Sequence, residues 1–561
     1  MPEKSINIVI SGAAGQGLVT IGQLLSKAIT RAGHHLLVTQ RYMSRVRGGH
    51  NAYAIRMGEE DLLGGTESID ILAALNAESL EKHLKDVGKG GLVVAGTELE
   101  TKGLNALRIP YKDLSPKPLF HNTAMLGVLG RAVNIDLKIL EELLRQTFGK
   151  KGDEVVEANL EVLRKAYDWV SDQDHDFFCD IKSGDAKGRM MINGNEAIGL
   201  GALAAGCNFV SYYPMTPSTG VAMTLIAKGA PLGLQYEQVE DEIAAMNMAL
   251  GASYAGARAL VTTSGGGFAL MEEAVSLAGV SETPLVCVVV QRPGPATGLP
   301  TRTEQGDLNL VLYAGHGDIP RAIFAPATPE DCFYLTHRAF DLAETYQTPI
   351  FVLSEQYLAD SFRDVEPFDL DELPEVAKPL LEWNEGEYKR YAVTDDGISP
   401  RLIPGFSKAL VRADSHEHEE NSKITEDKAV RVAQNSKRLR KESGLFEEVI
   451  GPDYYGADNP DALMVCWGPN LGACLEAMDR YDGDSSLAVL HFKQVYPLRE
   501  EQFMDFLEGA GRVIAVEGNA TAQFAQLIAR ETGFMVPDRI LRYDGRAMTW
   551  EYVLKGLSDI L

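Results

Sequence analysis

Short apolar runs recur along this chain, each ending in a glycine- or proline-rich turn followed by residues at helical spacing. Residues 6–11, Ile-Asn-Ile-Val-Ile-Ser, read as a buried strand. Gly12, Gly15 and Gly17 make the turn after it, helical spacing covers residues 18–32, and Gly33 stands where a helix ends. Strand-like segments follow at 69–77 and 91–95, and helices with charged faces fill about 137–170. A polar stretch at 175–190 reads as a linker.

The pattern restarts with a strand at 190–195 and a helix at 196–205. Its most informative part lies between Tyr212 and Asp307. One β run, 257–263, breaks on Ser264, Gly265, Gly266 and Gly267. A second, 284–291, ends in a loop carrying Arg292, Gly294, Gly298 and Arg302. Alternating strands and helices predict an α/β protein of several doubly wound, mostly parallel domains. In such sheets ligands sit at the carboxyl ends of strands, where these loops fall. The expected domains are 1–180, 190–365 and 460–561, with 366–459 as a long connecting region.

Composition narrows the function. The 561 residues are 45% hydrophobic and 24% charged, which suits large packed cores. A net charge of −26 argues against nucleic acid as a partner. No apolar run reaches the roughly 18 residues of a membrane span, and the N-terminus has no signal pattern, so a cytoplasmic protein is expected. The six cysteines form no CxxC pair, which predicts neither an iron–sulfur nor a zinc site within this chain.

Several residue groups carry candidate chemistry. The turn at Gly12, Gly15 and Gly17 allows backbone N–H groups to approach an anion, or simply permits a tight turn. Arg41, Arg45 and Arg47, just before Gly48, Gly49 and His50, stand out in so acidic a chain and suit either phosphate recognition or a subunit interface. Tyr213-Pro214-Met215-Thr216-Pro217-Ser218 precedes an acidic cluster of Glu237, Glu240, Asp241 and Glu242. Glu242 lies early in an apolar helix expected over 240–250, where it is either a shared-proton carboxyl or a partner of the helix macrodipole. His416 and His418 have no third metal ligand in view and read as a solvated turn.

These motifs together resemble the 2-oxoacid:ferredoxin oxidoreductases, and among them the alpha subunit with a gamma domain fused at its N-terminus. Residues 12–17 and 44–50 look like the gamma domain, 190–362 like the thiamine-diphosphate pyrimidine domain, and 460–561 like a transketolase C-terminal domain, including Glu517-Gly518-Asn519 and Tyr543-Asp544-Gly545-Arg546. Met215 stands where the family more often has Ile, a swap that conserves volume.

The resemblance implies oxidative decarboxylation of a 2-oxoacid to acyl-CoA and CO2, with electrons passed to ferredoxin. It implies Glu242 as the carboxyl at the aminopyrimidine ring, with Tyr213, Pro214, Ser264, Gly265 and Gly266 around the cofactor. Thr216, Arg292 and Arg302 become substrate residues. Gly12, Gly15, Gly17, Arg45 and Arg47 become coenzyme A or interface residues. A separate beta subunit is implied for Mg2+, the thiamine diphosphate phosphates and a [4Fe-4S] cluster, and no metal site is expected here. The loop around Arg302 looks most like 2-oxoglutarate enzymes. Pyruvate or branched-chain substrates, a thiamine enzyme without ferredoxin, and a non-catalytic CoA- or nucleotide-binding assembly subunit are the alternatives.

Overall fold

Alternation along the strand Ser5–Ala14 sends its side chains to two faces. Ile6, Ile8 and Ile10 enter one apolar cluster with Ile21, Leu25, Ala28 and Ile29 of the helix Leu18–Arg31. Val9 joins a different cluster with Ala52, Leu72 and Val93. The computed structural model describes residues 5–43, 48–101, 103–115, 117–173, 175–384 and 386–561. It divides into one unit of Met1–Ile192 with Asp360–Pro367 and Thr549–Glu551, and a second unit of the remaining residues.

The first unit holds an eight-stranded mixed sheet. Ser5–Ala14, Ile69–Ala74, Val87–Gly96 and Ala106–Ile109 run parallel to their neighbours. Gly48–Gly58 and His35–Arg41 form an antiparallel ribbon on the other side of Ser5–Ala14. Two strands from distant sequence, Phe362–Val365 and Met190–Asn193, complete that edge. The hydrophobic pattern alone assigns both to the second domain. Charge fixes the pairing: His35 Nδ1 lies 2.7 Å from Asp364 Oδ2, and Leu36 N donates to Asp364 Oδ1 at 2.7 Å. Arg189 adds an ion pair, its Nε 3.1 Å from the same carboxylate.

The second unit carries two sheets over one continuous core. In the seven-stranded sheet, Ala322–Phe324, Pro349–Glu355, Leu285–Gln291, Ala259–Thr263, Phe209–Tyr212 and Gln235–Gln238 are parallel, in that order. Gln494–Tyr496 adds an antiparallel edge. The five-stranded sheet orders Asp453–Gly456, Leu487–Phe492, Ala462–Trp467, Val513–Glu517 and Asp538–Leu541. Strands such as Leu285–Gln291 and Ala462–Trp467 are buried throughout, so they read as unbroken apolar runs.

The stretch between these sheets is held by buried charge. Glu282, at φ 51° just past the helix Glu272–Ser281, is fully buried. Lys437 and Lys441 of the helix Lys428–Glu447 reach it, with Nζ 2.5 Å from Oε1 and 2.6 Å from Oε2. Arg390 donates to the Glu282 carbonyl at 2.6 Å. The expected solvated turn at His416–His418 is half corrected: exposed His416 pairs with half-buried Asp414, but His418 is buried and stacks on Tyr391 at 3.7 Å. No described helix is long and apolar enough to cross a membrane.

Candidate functional site

The acidic cluster is sorted by burial. Asp241 caps the helix Glu242–Tyr254, its side chain accepting from Ala244 N at 2.7 Å. Glu237, Glu240 and Asp241 are exposed, whereas Glu242 is only 5% exposed. Glu242 lies against the bare backbone of Gly267, where an added Cβ would come 2.7 Å from Glu242 Oε1 and 2.3 Å from Thr263 Oγ1. A side chain at 267 would therefore displace the carboxylate.

The turn after Ala259–Thr263 is buried at Ser264, Gly265 and Gly267 and open only at Gly266. Ser264 Oγ is buried with no hydrogen-bond partner among the described residues. Gly265 abuts the Asp307 carboxylate, 2.2 Å from a Cβ placed there. Gly266 is exposed, and only Ala296 O comes near its Cβ position, at 3.4 Å.

Two loops bring the basic and hydroxyl groups. Tyr213, Pro214 and Thr216 are exposed on a turn held by Ser218 Oγ donating to Met215 O (2.8 Å) and Asn195 Nδ2 donating to Pro217 O (2.9 Å). Arg292, directly after the strand Leu285–Gln291, donates from Nη1 to Thr216 O at 2.5 Å, while its Nε is buried without a partner among the described residues. Burial lowers its proton affinity and the field of Asp307 opposes that. Arg302 sits elsewhere on the same loop. Its Nη1 donates to Thr301 O at 2.9 Å, and its Cβ lies 3.2 Å from a Cβ built on Gly545.

That loop is fastened to the five-stranded sheet. Gln305 N donates to Gly518 O (2.7 Å), and Gln305 Oε1 accepts from Gly518 N (2.8 Å) and Asn470 Nδ2 (2.8 Å). Its Nε2 donates to Trp467 O at 3.0 Å. Glu517 in turn accepts from Phe524 N, Ala525 N and Asn519 Nδ2, so it fixes the start of the helix Gln523–Thr532.

Two carboxyls that sequence reasoning missed lie at the same strand ends. Burial, then Glu304, pushes Asp307 up to about 7 against the pull of Arg292. Burial pushes Glu355 up to about 7, against hydrogen bonds from Thr303 and Gln305. Asp307 Oδ2 and Glu355 Oε2 have no hydrogen-bond partner among the described residues. The available signal was an acid ending each of two polar-apolar junctions, Gly306-Asp307-Leu308 and Ser354-Glu355.

In the first unit, Gly12 and Gly17 are tightly packed. A Cβ on Gly12 would meet Gln16 and Leu75 at 2.9 Å, and one on Gly17, at φ 81°, would meet Asn122 Nδ2 at 1.9 Å. Gly15 is open, with nothing within 4 Å. Arg45 and Arg47 lie outside the described residues. Arg41 ends its strand, exposed.

Residues 200–438 match the family described as pyruvate flavodoxin/ferredoxin oxidoreductase, thiamine diphosphate-binding, and residues 7–169 match the pyruvate ferredoxin/flavodoxin oxidoreductase family. The chain is 31% identical to a 2-oxoacid:ferredoxin oxidoreductase subunit alpha of Sulfolobus sp, over 99% of this chain and 96% of that one. It is 27% identical to the 2-oxoglutarate oxidoreductase subunit KorA of Mycobacterium tuberculosis, over 93% and 87%. A solved 2-oxoglutarate:ferredoxin oxidoreductase from Magnetococcus marinus, with 2-oxoglutarate, coenzyme A and succinyl-CoA bound, superposes with a TM-score of 0.93 at 31% identity, covering 99% of each chain. The parallel-dominated α/β architecture with a thiamine-diphosphate-binding domain thus defines an oxidoreductase subunit of a multi-subunit enzyme. The chain belongs to the 2-oxoacid:ferredoxin oxidoreductase alpha subunits.

Proposed function

We propose that this chain, with a beta subunit, oxidatively decarboxylates 2-oxoglutarate to succinyl-CoA and CO2 and passes the electrons to ferredoxin. The observation that carries the reading is the pairing of Arg292 with the Thr216 carbonyl, which fastens a guanidinium at a strand end to the turn that bears Thr216. Arg302, on the same loop, adds a second guanidinium, as a dicarboxylate requires. The relatives named for 2-oxoglutarate support that choice over pyruvate.

The residues present fit the pyrimidine side of thiamine diphosphate: a buried carboxyl at Glu242, an unpartnered buried hydroxyl at Ser264 and bare backbone at Gly265 and Gly266. Tyr213 and Pro214 form part of the exposed rim of the site. When bound, this cofactor supplies a nucleophilic carbon and an electron sink for decarboxylation. Glu242 would hold the pyrimidine side of the cofactor through its buried carboxyl oxygens, and a carboxyl placed there could share a proton with the group bound. Arg292 and Arg302 bind carboxylate oxygens through charge-assisted hydrogen bonds. Thr216 donates its hydroxyl to the carboxylate or the ketone oxygen. Gly15, together with Arg45 and Arg47 of the basic stretch, contributes to binding coenzyme A or to docking of the gamma domain. Mg2+ and a [4Fe-4S] cluster belong to the beta subunit.

The test is purification with the neighbouring beta chain and a 2-oxoacid panel with a viologen dye as acceptor. Highest kcat/KM with 2-oxoglutarate is the expected result. Preference for pyruvate or a branched-chain 2-oxoacid overturns the substrate assignment.

A further inference from the structure

We propose that Asp307 is a positioning carboxyl that gates the substrate's carboxylate: protonated, it leaves Arg292 to the 2-oxoacid, and ionised, it claims that guanidinium and repels the substrate. The proposal deepens the reading above and rests on Arg292 as a substrate residue.

Four observations support it. Asp307 N donates to Gln291 Oε1 at 3.0 Å, so its backbone is tied to the residue immediately before Arg292. Its carboxylate occupies the space left by the missing side chain of Gly265, whose Cβ would sit 2.2 Å from Oδ2 and 2.4 Å from Oδ1. Both contacts put the group against the cofactor turn and beside the residue that precedes Arg292. Oδ2 is buried and has no hydrogen-bond partner among the described residues, and neither has Arg292 Nε. A buried oxygen without a donor is costly as a carboxylate and much less so as a carboxylic acid.

The charged groups facing Asp307 are few. Arg292 comes from the end of the central strand, and Glu304 from Asp307's own loop. The turn at 264–267 presents only the neutral Ser264 hydroxyl. The helix Gln523–Thr532 presents the neutral Gln523, which bonds Gly306 O at 2.9 Å and accepts from Asn309 N at 3.0 Å. Burial and then Glu304 hold the proton on and Arg292 pulls it off, which brings the titration to about 7.

The sign follows. Above its titration Asp307 is an anion beside the carboxylate-binding site, so KM for the 2-oxoacid climbs with pH, toward a limit of about tenfold per pH unit. KM for coenzyme A does not follow that curve.

The experiment measures both KM values for the complex with its beta subunit from about pH 6 to about pH 9, using 2-oxoglutarate, for the wild type, Asp307→Asn and Glu304→Gln. Asp307→Asn mimics the protonated state, so its KM for 2-oxoglutarate should lose the alkaline rise. Glu304→Gln removes the charge that helps hold the proton, so the rise should begin at lower pH with the acid plateau unchanged. If Asp307→Asn fails to assemble, the Glu304→Gln shift decides alone. An active complex whose profiles superimpose on the wild type, or in which both KM values move together, overturns the role of Asp307. A complex that turns over no 2-oxoacid overturns the functional reading as well.

Discussion

At the scale of single residues, burial separates one carboxyl from its neighbours. Glu242 is enclosed while Glu237 and Glu240 are in water. Glu242→Gln should keep the fold and thiamine diphosphate binding but lose turnover by about 10²-fold or more, the scale of a positioned acid–base group. Steady-state kcat and a cofactor titration on the same preparation check this. Near-normal kcat would move the assignment away from Glu242. The two arginines make a second test. Removing one charge-assisted hydrogen bond should lower kcat/KM by about 10- to 150-fold. If Arg302 serves the distal carboxylate of 2-oxoglutarate, Arg302→Ala should cost 2-oxoglutarate far more than pyruvate. Arg292→Ala should then lower both together. Which acid is buried was legible only through the family resemblance, because the sequence shows four acids in six residues and no burial. Asp307 was not legible as a site group, since its environment depends on a glycine more than forty residues away.

At the scale of elements, the strands and their glycine turns were the legible part. The runs 257–263 and 284–291 correspond to Ala259–Thr263 and Leu285–Gln291, because short, fully buried strands must be continuously apolar. The basic run at 437–441 was not legible as interior. Helical geometry puts Lys437 and Lys441 on one face, and both end at Glu282. Glu282→Gln would strand two buried cations, at a cost of about 3–5 kcal/mol. Faster proteolysis or hydrogen exchange in residues 386–447 should report it, and an unchanged protection pattern would deny the cluster its structural role. Burial alone would raise the Glu282 carboxyl, but Lys441, Lys437 and Arg390 hold it down to about 2, from 4.5. A depressed carboxyl stabilises above its unfolded value and loses that contribution as pH falls. Protection of the helix Lys428–Glu447 should therefore be intact above pH 4.5 and fade as pH approaches about 2.

At the scale of the whole molecule, all six cysteines are free and buried, in places that suit small apolar side chains. The chain expressed alone should therefore be colourless and unable to oxidise a 2-oxoacid. Absorbance and a dye-reduction assay check this, and a brown, active single-chain preparation would refute the two-subunit reading. What sequence pattern left hidden at this scale is pairing between distant strands. Phe362–Val365 and Met190–Asn193 look like any other short β run, and it is the contacts of Asp364 with His35, Leu36 and Arg189 that tell which sheet receives one of them.

The clasp between Gln305 and Gly518 has a consequence for how such proteins can diversify. The loop bearing Arg302 and the domain bearing Glu517-Gly518-Asn519 share donors and acceptors one for one. They should recombine as a single cassette: a chimaera that imports a relative's C-terminal domain without its own Gln305 loop inherits orphaned buried polar groups. Transplanting both together keeps the joint intact, so a change of substrate preference by domain exchange should travel with the pair and not with either piece.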